Sequence, residues 1–359
     1  MKIALITDTH FGARNDNANF NDYFYQFYEG VFFPYLHQHN IKTCIHLGDV
    51  MDRRKFVSYK TAKDFRERFI LPFSQLEINL HMLVGNHDTF YKNTNDVNSL
   101  QELVDGKFRN IKVYPEAQEV DFDGCKILFM PWINSQNYIH SMGMIDETTA
   151  QICMGHLELN GFEMQKGMFM DHGWDKEEFR KFDTVMSYHH KSDDGQVYYL
   201  GTPYEIYWND WEDPKGFHIF DTETRELERI VNPYNIFSKI YYDDTVNDYS
   251  HMIGPSATAY DFQKYKNKYV KLVVVNKKDL FQFDQFVDKL LTADCHDVKI
   301  VEDFSEMDAS NVSDDIVENS EDTMTLLEKY IDELPVDLSK DRLKNTMRTL
   351  YTEAQDLEI

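Results

Sequence analysis

The chain has 359 residues, of which 42% are hydrophobic and 14% aromatic, so it can bury a sizeable core and most of it is expected to fold. Its formal net charge of −25 argues against a protein that coats nucleic acid, since such proteins are basic, but it does not exclude an enzyme that acts on nucleic acid. No segment is apolar enough to cross a membrane, the N-terminus lacks a secretory signal and the four cysteines form no C-x-x-C pair, so we expect a cytoplasmic protein with reduced thiols.

The first two-thirds of the chain alternates strand-like and helix-like segments. Several strand-like runs are almost entirely apolar, which is typical of strands covered on both faces. We predict helices at 21–39 and 60–76, and strands at 2–7, 43–47, 79–84, 111–114, 119–122, 125–130, 151–154, 184–186, 197–200, 216–221 and 226–231. This order predicts a layered α/β domain over residues 1–240.

A small second domain is predicted over residues 241–301. After a weakly patterned linker at 248–260, the sequence predicts a strand at 268–275, an amphipathic helix at 279–291 and a strand at 297–302. Asp279 is suited to cap the start of that helix. The pattern is that of one β-α-β unit.

The C-terminal segment divides into an acidic tether, 302–322, and a helical tail, 323–359. Pro335 separates two amphipathic helices in the tail. Their apolar faces carry Met324, Leu327, Tyr330, Ile331 and Leu334 in the first, and Leu343, Met347, Leu350, Tyr351 and Ala354 in the second. Spacing alone leaves open whether these faces fold back onto the main body or dock onto a partner.

Four polar motifs each follow an apolar strand, where sites in open α/β sheets are built. They supply Asp8 and His10 in D-T-H, Asp49 in G-D, Asn86, His87 and Asp88 in G-N-H-D, and His156 in G-H. On an extended backbone, the i, i+2 spacing of D-T-H puts both side chains on one side. Carboxylate, amide and imidazole donors without thiolates suit Mn²⁺, Fe or Zn²⁺ better than Ca²⁺.

These motifs, in this order, resemble the calcineurin-like metallophosphoesterase superfamily. G-T-P at 201–203, the β-α-β unit and the helical tail are similar to the SbcD-type DNA repair nucleases. V-G-N-H-D, H-L-E-L-N-G-F, Y-L-G-T-P and G-F-H-I-F-D-T-E-T are most like the recombination endonuclease subunits of T-even-type bacteriophages. The resemblance covers essentially the whole chain. It implies a layered β-sandwich flanked by helices, a small capping domain and a partner-binding tail.

The resemblance also implies a metal-dependent nuclease with two Mn²⁺ ions, although Mg²⁺ or other divalent ions are possible. Asp49 would be shared, with Asp8 and His10 on one ion and Asn86 and His156 on the other. Such a pair of ions supplies a hydroxide nucleophile and stabilises charge on the reacting phosphate.

His87 matches the catalytic histidine of the family, which assists departure of the 3′-oxygen. Asp88 has two interpretations, either as the group that orients His87 or as a cap of a turn.

The stretch S-Y-H-H-K, residues 187–191, departs from the G-H-x-H motif of the family. Without a gap, His189 is the first histidine of that motif and Lys191 stands at the second position. With a gap, His189 is the second histidine. Both alignments make His189 a ligand and turn His190 away. We predict weakened occupancy of one metal, which two tightly held ions per chain would contradict.

Basic residues follow several motifs and are expected at the rim of the site. Arg53, Arg54 and Lys92 are the predicted DNA contacts, with Arg14 and Lys55 placed similarly. The alternative for each is an ordinary solvated surface.

The resemblance further implies an SbcC-type coiled-coil ATPase partner bound by the tail, double-stranded DNA ends as substrate, and a homodimer within a heterotetramer. An aromatic stripe in the first predicted helix, which is usually core, could therefore lie partly in a dimer interface. The stripe consists of Phe20, Tyr23, Phe24, Phe27, Tyr28, Phe32 and Phe33.

Two other functions share the motifs. One is a phosphoprotein phosphatase or cyclic-nucleotide phosphodiesterase, which does not require the capping domain or the tail. The other is a scaffold subunit with a decayed site, which the altered 187–191 stretch favours and the intact other motifs oppose.

Overall fold

The structure is a computed structural model that describes residues 1–160, 173–187, 195–250 and 262–302. It also describes the backbone of 163–165, 168–169 and 192–193, and the single residues 331, 340 and 344. His189, His190 and most of the predicted linker at 248–260 lie outside the described residues. So do the acidic tether beyond residue 302 and, apart from those three residues, the helical tail.

The described residues form seventeen strands, and most of the predicted site residues closely follow one of them. In chain order they are β1 (Lys2–Ile6), β2 (Thr43–His46), β3 (Asn79–Leu83), β4 (Ile111–Tyr114), β5 (Gln118–Phe122), β6 (Cys125–Met130), β7 (Ile152–Gly155), β8 (Glu163–Gln165), β9 (Met168–Phe169), β10 (Thr184–Ser187), β11 (Ser192–Asp193), β12 (Val197–Tyr199), β13 (Gly216–Asp221), β14 (Leu227–Val231), β15 (Phe237–Asp243), β16 (Tyr269–Asn276) and β17 (Asp297–Val301). The short strands β8, β9 and β11 and the longer strand β15 have no counterpart among the predicted elements.

Two six-stranded sheets form the main body. One has the order β14-β13-β1-β2-β3-β4, and the other β11-β12-β10-β7-β6-β5. The strands from β1 to β4 are parallel, as are β6, β7 and β10, so their carboxyl ends lie together at one edge of each sheet. β13 joins β1 antiparallel on its other side, and β14 follows it as the edge strand.

Each sheet buries both faces, which explains why the strands are apolar without alternation. In β1, Ile3 and Leu5 pack in the core between the two sheets, whereas Ala4 and Ile6 pack against the helices on the outer face. The second sheet packs its outer face against a helix, Tyr138–Glu147, that the sequence pattern missed. The layers are therefore helix, sheet, sheet and helix, and the predicted α/β fold class is confirmed.

Both predicted helices contain a wide π-helical turn directly before a helical segment with a proline near its start. The first runs through Ala18–Phe27 and the π turn Tyr28–Phe32 into Phe33–Gln38. The second runs through Tyr59–Asp64 and Phe65–Ile70 into Leu71–Gln75. Proline lacks an N–H and crowds the preceding turn, so a locally wider turn lets each helix continue past it. A short helix, Ser99–Leu103, was not predicted.

The aromatic stripe of the first helix is core along its whole length. Phe20, Tyr23, Phe24, Phe27, Tyr28, Phe32 and Phe33 are all buried, with at most 7% of any side chain exposed. They pack on aromatic rings of the second helix, such as Phe69 and Phe73, and on Tyr204. The interpretation of part of the stripe as a dimer interface is therefore wrong for these seven rings.

The small domain has three parallel strands in the order β15-β16-β17, with the helix Leu280–Leu291 between the last two. The carboxylate of Asp279 accepts the Gln282 N–H at 3.1 Å, so it caps this helix as the sequence predicted. The boundary expected at residue 240 falls inside β15, because the aromatic sequence there serves both domains. Phe237 packs in the core of the main body, against Trp208, while Tyr242 belongs to the small core.

Two further expectations concern the cysteine thiols and membrane-spanning segments. All four cysteines are free, and three of them are buried. Among the helices that the structure describes, none combines the length and the apolar character needed to span a bilayer.

Candidate metal centre

Four of the predicted motifs meet where strands of the two sheets end. Asp8 follows β1, Asp49 follows β2, Asn86 and His87 follow β3, and His156 follows β7. Their side chains converge on one place. The structure thus brings together six of the seven residues predicted for the centre, and the seventh, His189, is outside the described residues.

The D-T-H motif reaches the site through a left-handed backbone. The φ angles of Asp8 and His10 are 50° and 41°, so the expectation of an extended backbone is wrong. The loop lies against the one after β2, where the Asp8 N–H donates to Gly48 O and the His10 N–H to Asp49 O, each at 3.1 Å. The two side chains still converge, with His10 Nε2 at 3.6 Å from Asp8 Oδ1.

Asp49 lies at the middle of the cluster, and its two oxygens face different partners. Oδ2 is 3.9 Å from His10 Nε2, on the side of Asp8. Oδ1 is 3.3 Å from His156 Nε2 and accepts the His87 N–H at 2.8 Å. The Asp49 side chain is buried, and this orientation is what a carboxylate shared between two ions requires.

Two glycines make this close approach possible. A Cβ on Gly85 would collide with the backbone nitrogen and Oδ1 of Asp49. A Cβ on Gly48 would lie 2.6 Å from Nδ1 of His156, and the φ of 111° at Gly48 is itself one that favours glycine. The G-D and G-N-H-D motifs therefore need glycine so that their two loops can touch.

The second half of the cluster is a buried imidazole paired with a side-chain amide. His156 Nε2 lies 2.8 Å from Asn86 Oδ1, and its Nδ1 lies 3.0 Å from Leu47 O. If Nδ1 donates to that carbonyl, Nε2 is the nitrogen that can bind a metal, which is how histidine ligands are usually fixed.

His87 is oriented by a residue that the sequence interpretation missed. Its Nδ1 lies 2.6 Å from the backbone oxygen of Asp52, and its ring meets that of His10 edge-on at 5.1 Å between centroids. The Asp52 carboxylate is 3.5 Å from His10 Nδ1. Asp52 follows Asp49 by three residues, and that spacing was the available signal, but a backbone contact leaves no trace in the residue type.

Among the described residues, Asp88 forms no hydrogen bond with His87. Its carboxylate accepts hydrogen bonds from backbone N–H groups instead. Its Oδ1 accepts those of Val50 and Met51 at 3.0 and 2.9 Å, and its Oδ2 accepts that of Gly85 at 2.9 Å. Burial and the charge of Asp49 raise the pKa of Asp88 to about 6. Of its two interpretations, the turn cap fits, and the cap joins two loops of the site.

A second buried histidine, His46, connects two loops of the site. Its Nδ1 accepts the Gly48 N–H at 3.2 Å and its Nε2 donates to Thr9 Oγ1 at 3.0 Å. Burial and the nearby charge of His156 lower the pKa of His46 to about 3, so the ring is neutral. It ties the D-T-H loop to the G-D loop.

The electrostatics of the cluster favour a bound cation. Burial opposes ionisation of Asp49, but the imidazoles of His156, His87 and His10 hold its pKa far below the usual range. Burial works against the charge of His10 as well, yet Asp52, Asp8 and Asp49 raise its pKa well above the usual value. These buried carboxylates thus require positive charge beside them, which imidazolium or a metal ion supplies.

The donor set also fits a metal. One ligand atom from each of His10, Asp49 and His87 lies within 4.8 Å of the other two. All donors are oxygen or imidazole nitrogen, which suits Mn²⁺ and similar ions.

The predicted DNA contacts at the rim have distinct environments. Arg53 forms an ion pair with Asp16 and packs over the Phe56 ring. Arg54 donates to Thr89 Oγ1 at 3.1 Å and lies over Trp132. Lys92 is exposed on the loop that follows the G-N-H-D motif.

Comparison with known proteins identifies the family of the chain. The family model for calcineurin-like phosphoesterases matches residues 1–274. Exonuclease subunit 1 of Enterobacteria phage T4 is 33% identical over 367 residues, which cover 99% of each chain. The resemblance found in the sequence motifs is thereby confirmed.

Two solved structures are similar to part of this chain. One, an archaeal phosphodiesterase, is 16% identical, covers 65% of this chain and 100% of its own, and gives a TM-score of 0.32. The other, a dimetal phosphatase from Danio rerio, is 10% identical, covers 61% of this chain and 91% of its own, and gives 0.37. On the family match and the phage relative, the chain belongs to the calcineurin-like phosphoesterase family and is a hydrolase of the metallophosphoesterase superfamily.

Proposed function

We propose that this protein is the Mn²⁺-dependent nuclease subunit of a DNA recombination and repair complex. The observation that carries the proposal is Asp49, whose two oxygens face two separate groups of ligand atoms in a chain similar from end to end to a phage exonuclease subunit. Mg²⁺ or another divalent ion would also suit these donors.

The proposed ligands divide into two groups. Asp8, His10 and Asp49 would hold one ion. Asp49, Asn86 and His156 would hold the other, with His189 completing one of the two sets. When bound, the ions lower the pKa of a water molecule and stabilise charge on the phosphodiester.

His87 is proposed as the catalytic residue. Its Nδ1 is positioned to donate to the Asp52 carbonyl, which fixes the ring and leaves Nε2 as the nitrogen that exchanges a proton with substrate. The Asp49 carboxylate holds the His87 backbone at the same time. His87 would give that proton to the departing 3′-oxygen.

DNA is proposed to approach over the rim formed by the loops after β2 and β3. Arg53, Arg54 and Lys92 would contact phosphates by charge, without reading sequence. With a net charge of −25, the chain needs a partner for tight DNA binding.

That partner is proposed to be an SbcC-type coiled-coil ATPase, bound by the tail at 323–359. The assembly would be a nuclease homodimer within a heterotetramer, acting on double-stranded DNA ends in the cytoplasm of the host cell.

A panel of substrates tests the proposal against the other activities of the superfamily. The purified full-length chain with Mn²⁺ is offered linear duplex DNA, p-nitrophenyl phosphate, a phosphopeptide and cyclic AMP. We expect the DNA to be cleaved with the highest kcat/KM. Preference for the phosphopeptide or the cyclic nucleotide would assign the alternative activity, and no turnover of any substrate would favour a scaffold subunit.

A further inference from the structure

A loop of unusual backbone geometry follows the D-T-H motif. Arg14, Asn15 and Asp16 have φ angles of 56°, 61° and 58°, so three consecutive residues other than glycine are left-handed. L-residues adopt this conformation singly and reluctantly. A run of three therefore requires contacts that hold it in place.

Those contacts converge on the Asp16 carboxylate. Oδ1 accepts the Ser58 hydroxyl at 2.9 Å and the Thr61 hydroxyl at a shorter distance, while Oδ2 forms an ion pair with Arg53. Arg53 also donates to Gly12 O at 3.3 Å, and so grips the same loop. We call this set of Asp16, Arg53, Ser58 and Thr61 the Asp16 clasp.

The three donors of the clasp form a cradle for an anion. One guanidinium and two hydroxyls that donate to carboxylate oxygens can equally donate to the oxygens of a phosphodiester. Arg53 is kept in position by the Phe56 ring, whose centroid lies 4.5 Å from its guanidinium carbon. About a quarter of each of the Arg53 and Asp16 side chains is exposed, so the cradle reaches solvent at these two side chains, whereas Thr61 is buried.

Both parts of the clasp adjoin residues of the metal centre along the chain. Arg53 follows Asp52, whose carbonyl contacts His87. The Asp16 loop begins at His10, whose carbonyl accepts the Ala13 N–H at 2.9 Å. A DNA strand placed across the metal centre would therefore pass the cradle.

Resting on the nuclease function proposed above, we propose that Arg53, Ser58 and Thr61 bind a backbone phosphate of DNA, and that Asp16 occupies their site until DNA displaces it. In the DNA-free protein Asp16 neutralises Arg53. When a phosphate replaces the carboxylate, Asp16 turns to solvent and the left-handed loop relaxes. The clasp thus withholds one phosphate contact and weakens DNA binding.

The salt dependence of DNA binding tests this directly. The affinity of the full-length chain for a fluorescent linear duplex is measured with Mn²⁺ at several salt concentrations, with His87→Ala present throughout to prevent cleavage. Each phosphate neutralised by a free cation adds about 0.9 to the slope of log K against log salt. The reference protein carries His87→Ala and no other change. In it the Arg53 contact adds nothing to the slope, because Asp16 takes up a cation when it becomes exposed to solvent.

Asp16→Asn keeps an oxygen for the two hydroxyls but removes the charge. We expect tighter DNA binding and a slope steeper by about 0.9, both reversed when Arg53→Gln is added. Asp183→Asn is the charge-matched control, because Asp183 is exposed just before β10, at the opposite end of its strand from the metal centre. It should leave the slope unchanged.

Arg53→Gln alone provides a second test, which does not depend on whether the Asp16 variant folds. Its slope should match the reference, and a slope shallower by about 0.9 would overturn the inference, as would an Asp16→Asn slope equal to the reference. If the reference protein bound no duplex DNA with or without its ATPase partner, the proposed nuclease function would be wrong, and the inference with it. If the reference protein binds DNA but the variants have the same slope and affinity, the inference about the Asp16 clasp is wrong and the proposed nuclease function is not affected.

Discussion

At the scale of single residues, His87 is the side chain whose replacement separates chemistry from binding. His87→Ala removes the ring that is proposed to face the reacting phosphate but leaves the proposed ligands of both ions in place. Because general acid catalysis typically contributes about 10²–10⁴-fold, we expect cleavage of duplex DNA to fall by that factor. Isothermal titration with Mn²⁺ and DNA should show binding close to parental.

His37, exposed on the first helix, provides the control for loss of an imidazole. His37→Ala should cleave at the parental rate. A His87→Ala protein that cleaved at that rate would remove His87 from the mechanism.

His46 makes stability depend on pH. Burial, then the charge of His156, lowers its pKa in the folded protein to about 3, whereas the unfolded chain takes up the proton near 6.5. A lowered histidine pKa stabilises the fold above pH 6.5, and that stabilisation is lost as the pH falls towards 3.

We therefore expect the free energy of unfolding of the parent to fall more steeply below pH 6.5 than that of His46→Gln, by up to roughly 1.4 kcal/mol per pH unit. Urea unfolding at pH 7.0, 6.0 and 5.0 measures the difference. Equal pH dependence in the two proteins would show that His46 is not kept neutral by the fold.

The residues that the sequence could identify are those whose chemistry is visible in their type. Asp8, Asp49 and His156 are polar side chains at the ends of apolar strands, and strand order alone brings them together. Asp52 could not be found because it acts on His87 through a backbone carbonyl. Asp16 escaped notice for a similar reason, since only the left-handed loop aims its carboxylate at Arg53.

At the scale of elements, the loops after β2 and β3 must touch through their glycines. A Cβ on Gly85 would meet the backbone and side chain of Asp49, so Gly85→Ala should push Asp49 out of the cluster. We expect Mn²⁺ affinity to fall about tenfold or more, measured by metal titration.

Gly143, in the helix Tyr138–Glu147, provides the matched control, because a Cβ there meets nothing within 4 Å. Gly143→Ala should leave metal affinity unchanged and raise stability by up to about 1 kcal/mol. Parental metal affinity in Gly85→Ala would mean that the loops can separate without cost.

Strands and helices were predicted correctly where their apolar residues followed a single pattern. The buried strands and the capped helix at Leu280–Leu291 follow from apolar runs and from Asp279. The sequence pattern did not predict β15, and the boundary at residue 240 divides it, because its aromatic residues serve two cores at once. The helix Tyr138–Glu147 was missed because glycine and histidine interrupt its weakly amphipathic pattern.

At the scale of the whole molecule, the acidic main body and the tail should have separable roles. A chain ending at residue 302 retains every described ligand and the rim. We expect it to lose binding to the ATPase and the stimulation of cleavage by ATP, while Mn²⁺-dependent cleavage by the subunit alone persists. Sedimentation with the ATPase, and cleavage with and without ATP, measure the two effects.

For this truncation, a thermal melt against the full chain shows whether the main body is intact. ATP-stimulated cleavage that survived the loss of the tail would place the partner contact elsewhere in the chain.

The central claim is that Asp49 serves two metal ions in cleaving DNA. The measurement that tests it most directly is the initial rate of cleavage of a linear duplex by the full-length chain with its ATPase partner, over a Mn²⁺ titration, for parent and Asp49→Asn. We predict that the parent cleaves only with metal and that Asp49→Asn neither holds two ions nor cleaves. Cleavage by the parent in excess chelator, or by Asp49→Asn at the parental rate, would contradict the claim.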